Sequence, residues 1–137
     1  MAQAGISAAR LERFGVKVEC LISHPETVRR ASASSTTRAM AAVDLALAQY
    51  DAGIFVVGNA PTALFRLLER LAGGAKGPAL IVGLPVGFVN AAESKDALLK
   101  TDHVYITNVG RKGGSNVAAS VINALAHMAG ENWATEN

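Results

Sequence analysis

Two textures of hydrophobic and polar positions alternate along this chain. From about residue 16 onward, short β-rich apolar runs exchange with longer Ala- and Leu-rich segments of helical period, the pattern of a parallel α/β sheet. The apolar runs predict strands at Val16–Ile22, Ile54–Val57, Ala79–Gly83 and Val104–Thr107, each followed by helix. After the first, Ser23-His24-Pro25-Glu26 offers a cap and an opening proline, and a second helix is expected from Thr37 to about Tyr50. After the second strand, Asn59 is a candidate cap and Pro61 suits a first helical turn. Leu64, Phe65, Leu68 and Leu71 then share one face, and Gly73-Gly74 stops that helix. Further helices are expected from Ala91 to Lys100 and from Ser115 to about Met128, with Gly130 to Asn137 a frayed tail. An amphipathic segment from Ile6 to Phe14 precedes any strand, and four strands are few for so many helices. Both observations suggest a missing N-terminal strand or more, with an α/β domain that simply begins on a helix as the alternative.

Composition narrows the function classes. The 137 residues fit one domain, and 50% hydrophobic residues can build a sizeable core. Basic and acidic residues, 13 and 11, nearly cancel to +2, and no run of five or six like charges occurs. A nucleic-acid or membrane-surface role gains little support. The single cysteine, Cys20, lies in the apolar alternation of Val16–Ile22 and is expected to be a buried structural thiol. The start, Met1 to Gly5, has no basic region leading into an apolar stretch, and the longest apolar runs are of strand length. A soluble, cytoplasmic protein is expected.

Ligands of open parallel sheets bind beyond the carboxyl ends of the strands, which directs attention to three glycine-rich loops. In Arg111-Lys112-Gly113-Gly114-Ser115, glycines admit a ligand to the backbone, a helix begins at once, and two cations flank its free amides. That combination suits a carboxylate or phosphate; an ordinary βα turn with solvated cations is the plain alternative. Asn59 and Thr62 face the same crevice in one reading, while capping alone explains Asn59 in the other. Glu93 and Lys95 are placed to contact a ligand, but charges in a first helical turn are usually solvated. Arg38, after Ser34-Ser35-Thr36-Thr37, either binds an anion or faces water. No dinucleotide or P-loop glycine spacing is present, and His24, His103 and His127 lack metal-ligand spacing, so neither cofactor nor metal is expected.

Three blocks then carry a resemblance: Val57-Gly58-Asn59-Ala60-Pro61-Thr62-Ala63-Leu64-Phe65, Gly83-Leu84-Pro85-Val86-Gly87-Phe88-Val89-Asn90-Ala91-Ala92-Glu93-Ser94-Lys95, and Gly110-Arg111-Lys112-Gly113-Gly114-Ser115-Asn116-Val117-Ala118-Ala119. In order and spacing they resemble precorrin-8X methylmutase and its cobalt-precorrin-8 counterpart. Thr36-Thr37-Arg38-Ala39 is similar to the family's Asn-Thr-Arg-Ser element, with first and last residues changed.

The resemblance implies an isomerase of cobalamin (vitamin B12) biosynthesis that moves a methyl group from C-11 to C-12 of the corrin precursor, giving hydrogenobyrinic acid or its cobalt form without redox change or cofactor. A histidine is the implied general acid, while the protein holds the ring. Substrate-binding positions implied for this chain are Arg38, Asn59, Thr62, Gly87, Phe88, Val89, Arg111, Lys112, Gly113, Gly114 and Ser115. Cations and helix amides would meet the carboxylates of the ring, with Phe88 and Val89 packing on its apolar body. A homodimer is implied as well. The family histidine belongs to a His-Ala-Cys-Gly type motif that this sequence does not contain, so no catalytic residue is assigned. The expected fold is a three-layer α/β/α arrangement with a mostly parallel sheet, lacking the family's N-terminal part. Residues 1–130 would form the partial domain and 131–137 a C-terminal tail. Impaired turnover is expected, with a non-catalytic corrinoid-binding or partner subunit as the alternative.

Overall fold

Three of the four expected strands pair in a computed structural model that describes residues 2–51 and 53–136, leaving aside the side chains of 132–136. They are β1 (Ile54–Val57), β2 (Leu80–Gly83) and β3 (Tyr105–Thr107), ordered β1-β2-β3. Every pairing is parallel, with Ile54 opposite Leu80 and Ile81 opposite Tyr105. Parallel neighbours require a crossover, and α5 (Pro61–Ala72) and α6 (Ala91–Leu99) supply the two. Successive crossovers in one direction put both helices on one face of the sheet. Before β1 come α3 (Pro25–Ala33) and α4 (Arg38–Gln49), and α4 packs beside α5.

The two sheet faces bury different clusters. Val57 and Ile81 meet Val43 of α4, Leu64, Leu67 and Leu71 of α5, and Leu98 of α6. On the other face Val82 and Leu84 meet Ala118, Ile122 and Ala126 of α7 (Ser115–Glu136) and Leu11 of α2 (Ala8–Glu12). Alternation along each strand thus feeds two helical layers, the expected α/β/α arrangement. Gly83 fits because a Cβ there would stand 2.7 Å from a Leu98 methyl carbon, so α6 sits closer to the sheet than any side chain would permit.

The structure departs from the sequence reading in four places. Val16–Ile22 is irregular rather than a strand. Its alternation serves another purpose: Val18 packs on the α7 cluster and Leu21 is buried, while Val16 and Ile22 stay exposed and no ladder pairs the segment with the sheet. Cys20 accordingly points to solvent instead of being buried. The helix expected over Ile6 to Phe14 is shortened to α2, a separate short helix, α1 (Ala2–Gly5), precedes it, and Asn123 of α7 fills the break between them. Its amide accepts from the Ser7 N–H at 2.8 Å and donates to the Gly5 carbonyl at 2.9 Å, capturing backbone groups that a continuous helix would have paired internally. Finally, α7 runs past Met128 to Glu136, so the described part of the segment read as a frayed tail, 130–136, is helical, and Asn137 lies outside the described residues. Among the described residues no helix is long and apolar enough to cross a membrane.

Candidate substrate-binding site at the strand ends

Each strand hands over to its helix at the same end of the sheet, and close backbone contacts lock the three loops together. A Cβ on Gly58, just after β1, would lie 2.8 Å from the Ser115 Cα, so the first loop rests directly on the first turn of α7. A Cβ on Gly113 would run into the Leu84 and Pro85 carbonyl oxygens of the second loop. The Gly114 N–H donates to the Leu84 carbonyl at 2.9 Å, and the Gly87 N–H donates to the Arg111 carbonyl at 3.2 Å. Gly58, Gly87, Gly113, Gly114 and Ser115 are thus held together where the three loops meet, with Gly58 buried beneath the others. Gly87 also adopts φ +138°, a conformation few other residues tolerate.

Side chains on this surface are open and unneutralised. The Arg111 guanidinium lies 5.2 Å from the Phe88 ring centre, and it has no carboxylate partner among the described residues. Lys112 is exposed as well. Phe88, Val89 and Val109 are 85%, 76% and 78% exposed, an apolar rim beside the cations. Asn59 is exposed and does not cap α5. Ala60 holds the cap position and no side-chain oxygen caps the helix, which leaves the Asn59 amide available for a ligand and removes the capping explanation. Thr62 follows in the first turn of α5, half-buried. Arg38 opens α4, capped by Thr37 through the Met40 N–H at 3.2 Å. Because α4 runs into β1, its first turn lies toward the same strand ends as the loops, and Arg38 is exposed there without a side-chain partner among the described residues.

Two residues bear on the site that sequence reasoning did not assign to it. Lys95 is fully buried in α6 rather than solvated; its ammonium donates to Asn108 Oδ1 at 3.0 Å and to the Lys112 carbonyl at 2.6 Å. Burial pushes its pKa below the ordinary lysine value, with Asp96 opposing. Asn108 donates to that same carbonyl at 3.0 Å. Glu93, by contrast, is exposed as a first-turn charge usually is.

None of the histidines joins these loops. His24 caps α3, accepting the Glu26 N–H at 3.2 Å at the far end of that helix from Arg38. His103 precedes β3, at the opposite end of the sheet, and His127 lies three turns into α7, 3.2 Å from Glu131. The arrangement can hold an apolar ring bearing carboxylates; it offers no imidazole to protonate one.

The comparisons agree with this geometry. The family model for precorrin-8X methylmutase matches residues 1–128. A cobalt-precorrin-8 methylmutase of Salmonella typhimurium is 50% identical over 93% of this chain and 59% of its own length. One from Priestia megaterium is 43% identical over 94% of this chain and 57% of its own. Among solved structures, the Thermus thermophilus precorrin-8X methylmutase superposes with a TM-score of 0.87 at 44% identity, covering 96% of this chain and 64% of that one. The chain thus spans under two thirds of the length of these relatives, with its three loop blocks and their layered scaffold inside the matched region, and it belongs to the precorrin-8X methylmutase family.

Proposed function

We propose that this chain supplies the corrinoid-binding wall of a precorrin-8X methylmutase, acting in the intramolecular methyl shift from C-11 to C-12 that yields hydrogenobyrinic acid or its cobalt form. One observation carries the reading: cations without carboxylate partners among the described residues stand beside exposed apolar side chains on a surface built from three interlocked loops. A macrocycle fringed with carboxylates matches both features at once. Arg111, Lys112 and Arg38 meet carboxylates, and the free amides at the start of α7 add the positive end of a helix dipole. Phe88 and Val89 pack on the ring, while Asn59 and Thr62 offer hydrogen bonds at its edge. These residues bind and orient. Proton transfer needs an acid that this surface does not hold, so little turnover is expected from the chain alone. A second copy of the chain is the proposed partner, and the cytoplasm the proposed setting.

The test has two measurements. Titration with hydrogenobyrinic acid should give saturable binding that weakens with salt, as contacts between a carboxylated ligand and exposed cations require. Mixing with precorrin-8X should give little absorbance change toward product. Absence of binding would overturn the corrinoid reading; rapid turnover would show that an acid within the chain had been missed.

A further inference from the structure

Lys95 is a buried cation with no ion-pair partner among the described residues. Its side chain is 0% exposed, and both of its hydrogen-bond partners are neutral oxygens, Asn108 Oδ1 and the Lys112 carbonyl. Removing an ammonium from water is costly, and neutral acceptors offset only part of that cost. Stability alone does not account for such a choice on a helix face whose other buried residues are the uncharged Ala91, Ser94 and Leu98. What the ammonium grips is informative. The Lys112 carbonyl belongs to the peptide leading into Gly113, the residue pressed against the Leu84 and Pro85 carbonyls. Asn108 follows β3 directly and holds the same carbonyl. One buried side chain of α6 therefore ties the end of β3 to the turn that opens α7.

We propose that Lys95 is the positioning residue of the anion-binding turn, holding the Lys112 carbonyl and the Asn108 side chain so that Arg111 and the first amides of α7 meet a substrate carboxylate in a fixed geometry. Its charge adds to the same effect. Among the described residues Asp96 is the ionisable side chain that acts on it electrostatically, and that neighbour is exposed. The charged residues of α5, Arg66, Glu69 and Arg70, are engaged with one another or with Asp44 of α4. Arg111, Lys112 and Glu93 sit at the exposed rim. Among the described residues nothing else neutralises the ammonium, so its field reaches an anion bound at the turn. As pH rises through a value below the ordinary lysine range, that charge disappears and its grip on both oxygens weakens.

The anchoring rests on geometry alone, while its effect on substrate rests on the corrinoid reading, so the experiment separates them. In the full chain, amide NMR of Gly113 and Gly114 is followed from neutral to alkaline pH for wild type and Lys95→Met, together with hydrogen exchange at Gly87, Gly114 and Leu84. Wild type should show an alkaline inflection that Lys95→Met lacks. The Gly87 and Gly114 amides, bonded to the Arg111 and Leu84 carbonyls, should lose at least tenfold protection in the variant, while Leu84, bonded to Val57, stays within about twofold. Lys95→Gln, which keeps a donor, should lack the inflection but retain more protection. Hydrogenobyrinic acid should bind Lys95→Met at least tenfold more weakly, and wild-type affinity should fall over the same alkaline range. An identical inflection in wild type and both variants, or equal loss of protection at Leu84, overturns the proposal. If wild type fails to bind the acid at all, the corrinoid reading falls and the NMR and exchange results alone decide the role of Lys95.

Discussion

Two cation-rich regions of this molecule use their charges in opposite ways. Between α3, α4 and α5, Arg66 donates two hydrogen bonds to Asp44, each at 2.9 Å, and Arg70 adds a third at 2.8 Å. Arg66 also pairs with Glu69, and Arg29 and Arg30 pair with Glu26. Cavities of about 330 Å³ open there, lined by Arg30, Asp44 and Arg70, yet their charge is already answered from within the fold. At the strand ends, Arg38, Arg111, Lys112 and Lys95 have no carboxylate in an ion pair with them among the described residues. Partnership, more than concavity, distinguishes the two: matched charges staple helices together, and unmatched ones are those that the proposed ligand would answer.

The sharpest way to break that contrast is at the backbone. Gly113→Ala places a methyl against the Leu84 and Pro85 carbonyls, and the clash should cost about 2–3 kcal/mol in denaturant unfolding and abolish detectable hydrogenobyrinic acid binding. Next is Arg111→Ala. Loss of a charged contact to carboxylate should weaken affinity about tenfold to a hundredfold, roughly 1.4–2.8 kcal/mol, without lowering the melting temperature, because this guanidinium neutralises nothing in the fold.

Asp44→Asn should do the reverse. Losing the ion pairs with half-buried Arg66 and exposed Arg70 should cost about 1–2 kcal/mol of stability, between the surface and buried limits, with corrinoid affinity unchanged. Burial alone would raise the Asp44 pKa, but hydrogen bonds from Arg66 and Arg70 more than offset it and hold the carboxyl below its usual value. A carboxylate depressed on folding stabilises above its unfolded pKa and loses that contribution as pH falls through the folded one. Wild type should therefore lead Asp44→Asn at pH 7 and lose the lead in strongly acid solution, as thermal melts across pH would show. Smallest is Asn59→Ala, expected to weaken binding several-fold, about 1 kcal/mol for a neutral hydrogen bond. Melting should be unmoved, whereas a true cap would lose about 1 kcal/mol of stability.

Much of this contrast can be read in the sequence, and the failures have physical causes. Strands β1 to β3 are legible because short apolar runs bounded by glycine and polar residues have few other uses in a parallel sheet. Val16–Ile22 misleads because alternation reports one-sided burial, and an extended segment lying over helices shows it as well as a paired strand does. Arg111 to Ser115 could be found since glycines beside cations before a helix are a local signal. Lys95 could not. Whether a lysine early in a helix is solvated or buried depends on Asn108 and the Lys112 carbonyl, brought to it from 13 and 17 residues away by the fold of β3 and its loop. Asn59 was ambiguous by one residue, and the position of the cap at Ala60 decided it.

The central claim is that the unpaired cations at the strand ends receive the carboxylates of a corrin. Calorimetric titration of the chain with hydrogenobyrinic acid, run alongside Arg111→Ala and Asp44→Asn at matched salt, tests it most directly. The account predicts saturable binding by wild type, preserved in Asp44→Asn and weakened at least tenfold in Arg111→Ala. Binding that survives in Arg111→Ala but fails in Asp44→Asn would contradict it, moving the ligand to the helical cavities and reversing the roles assigned to the two regions.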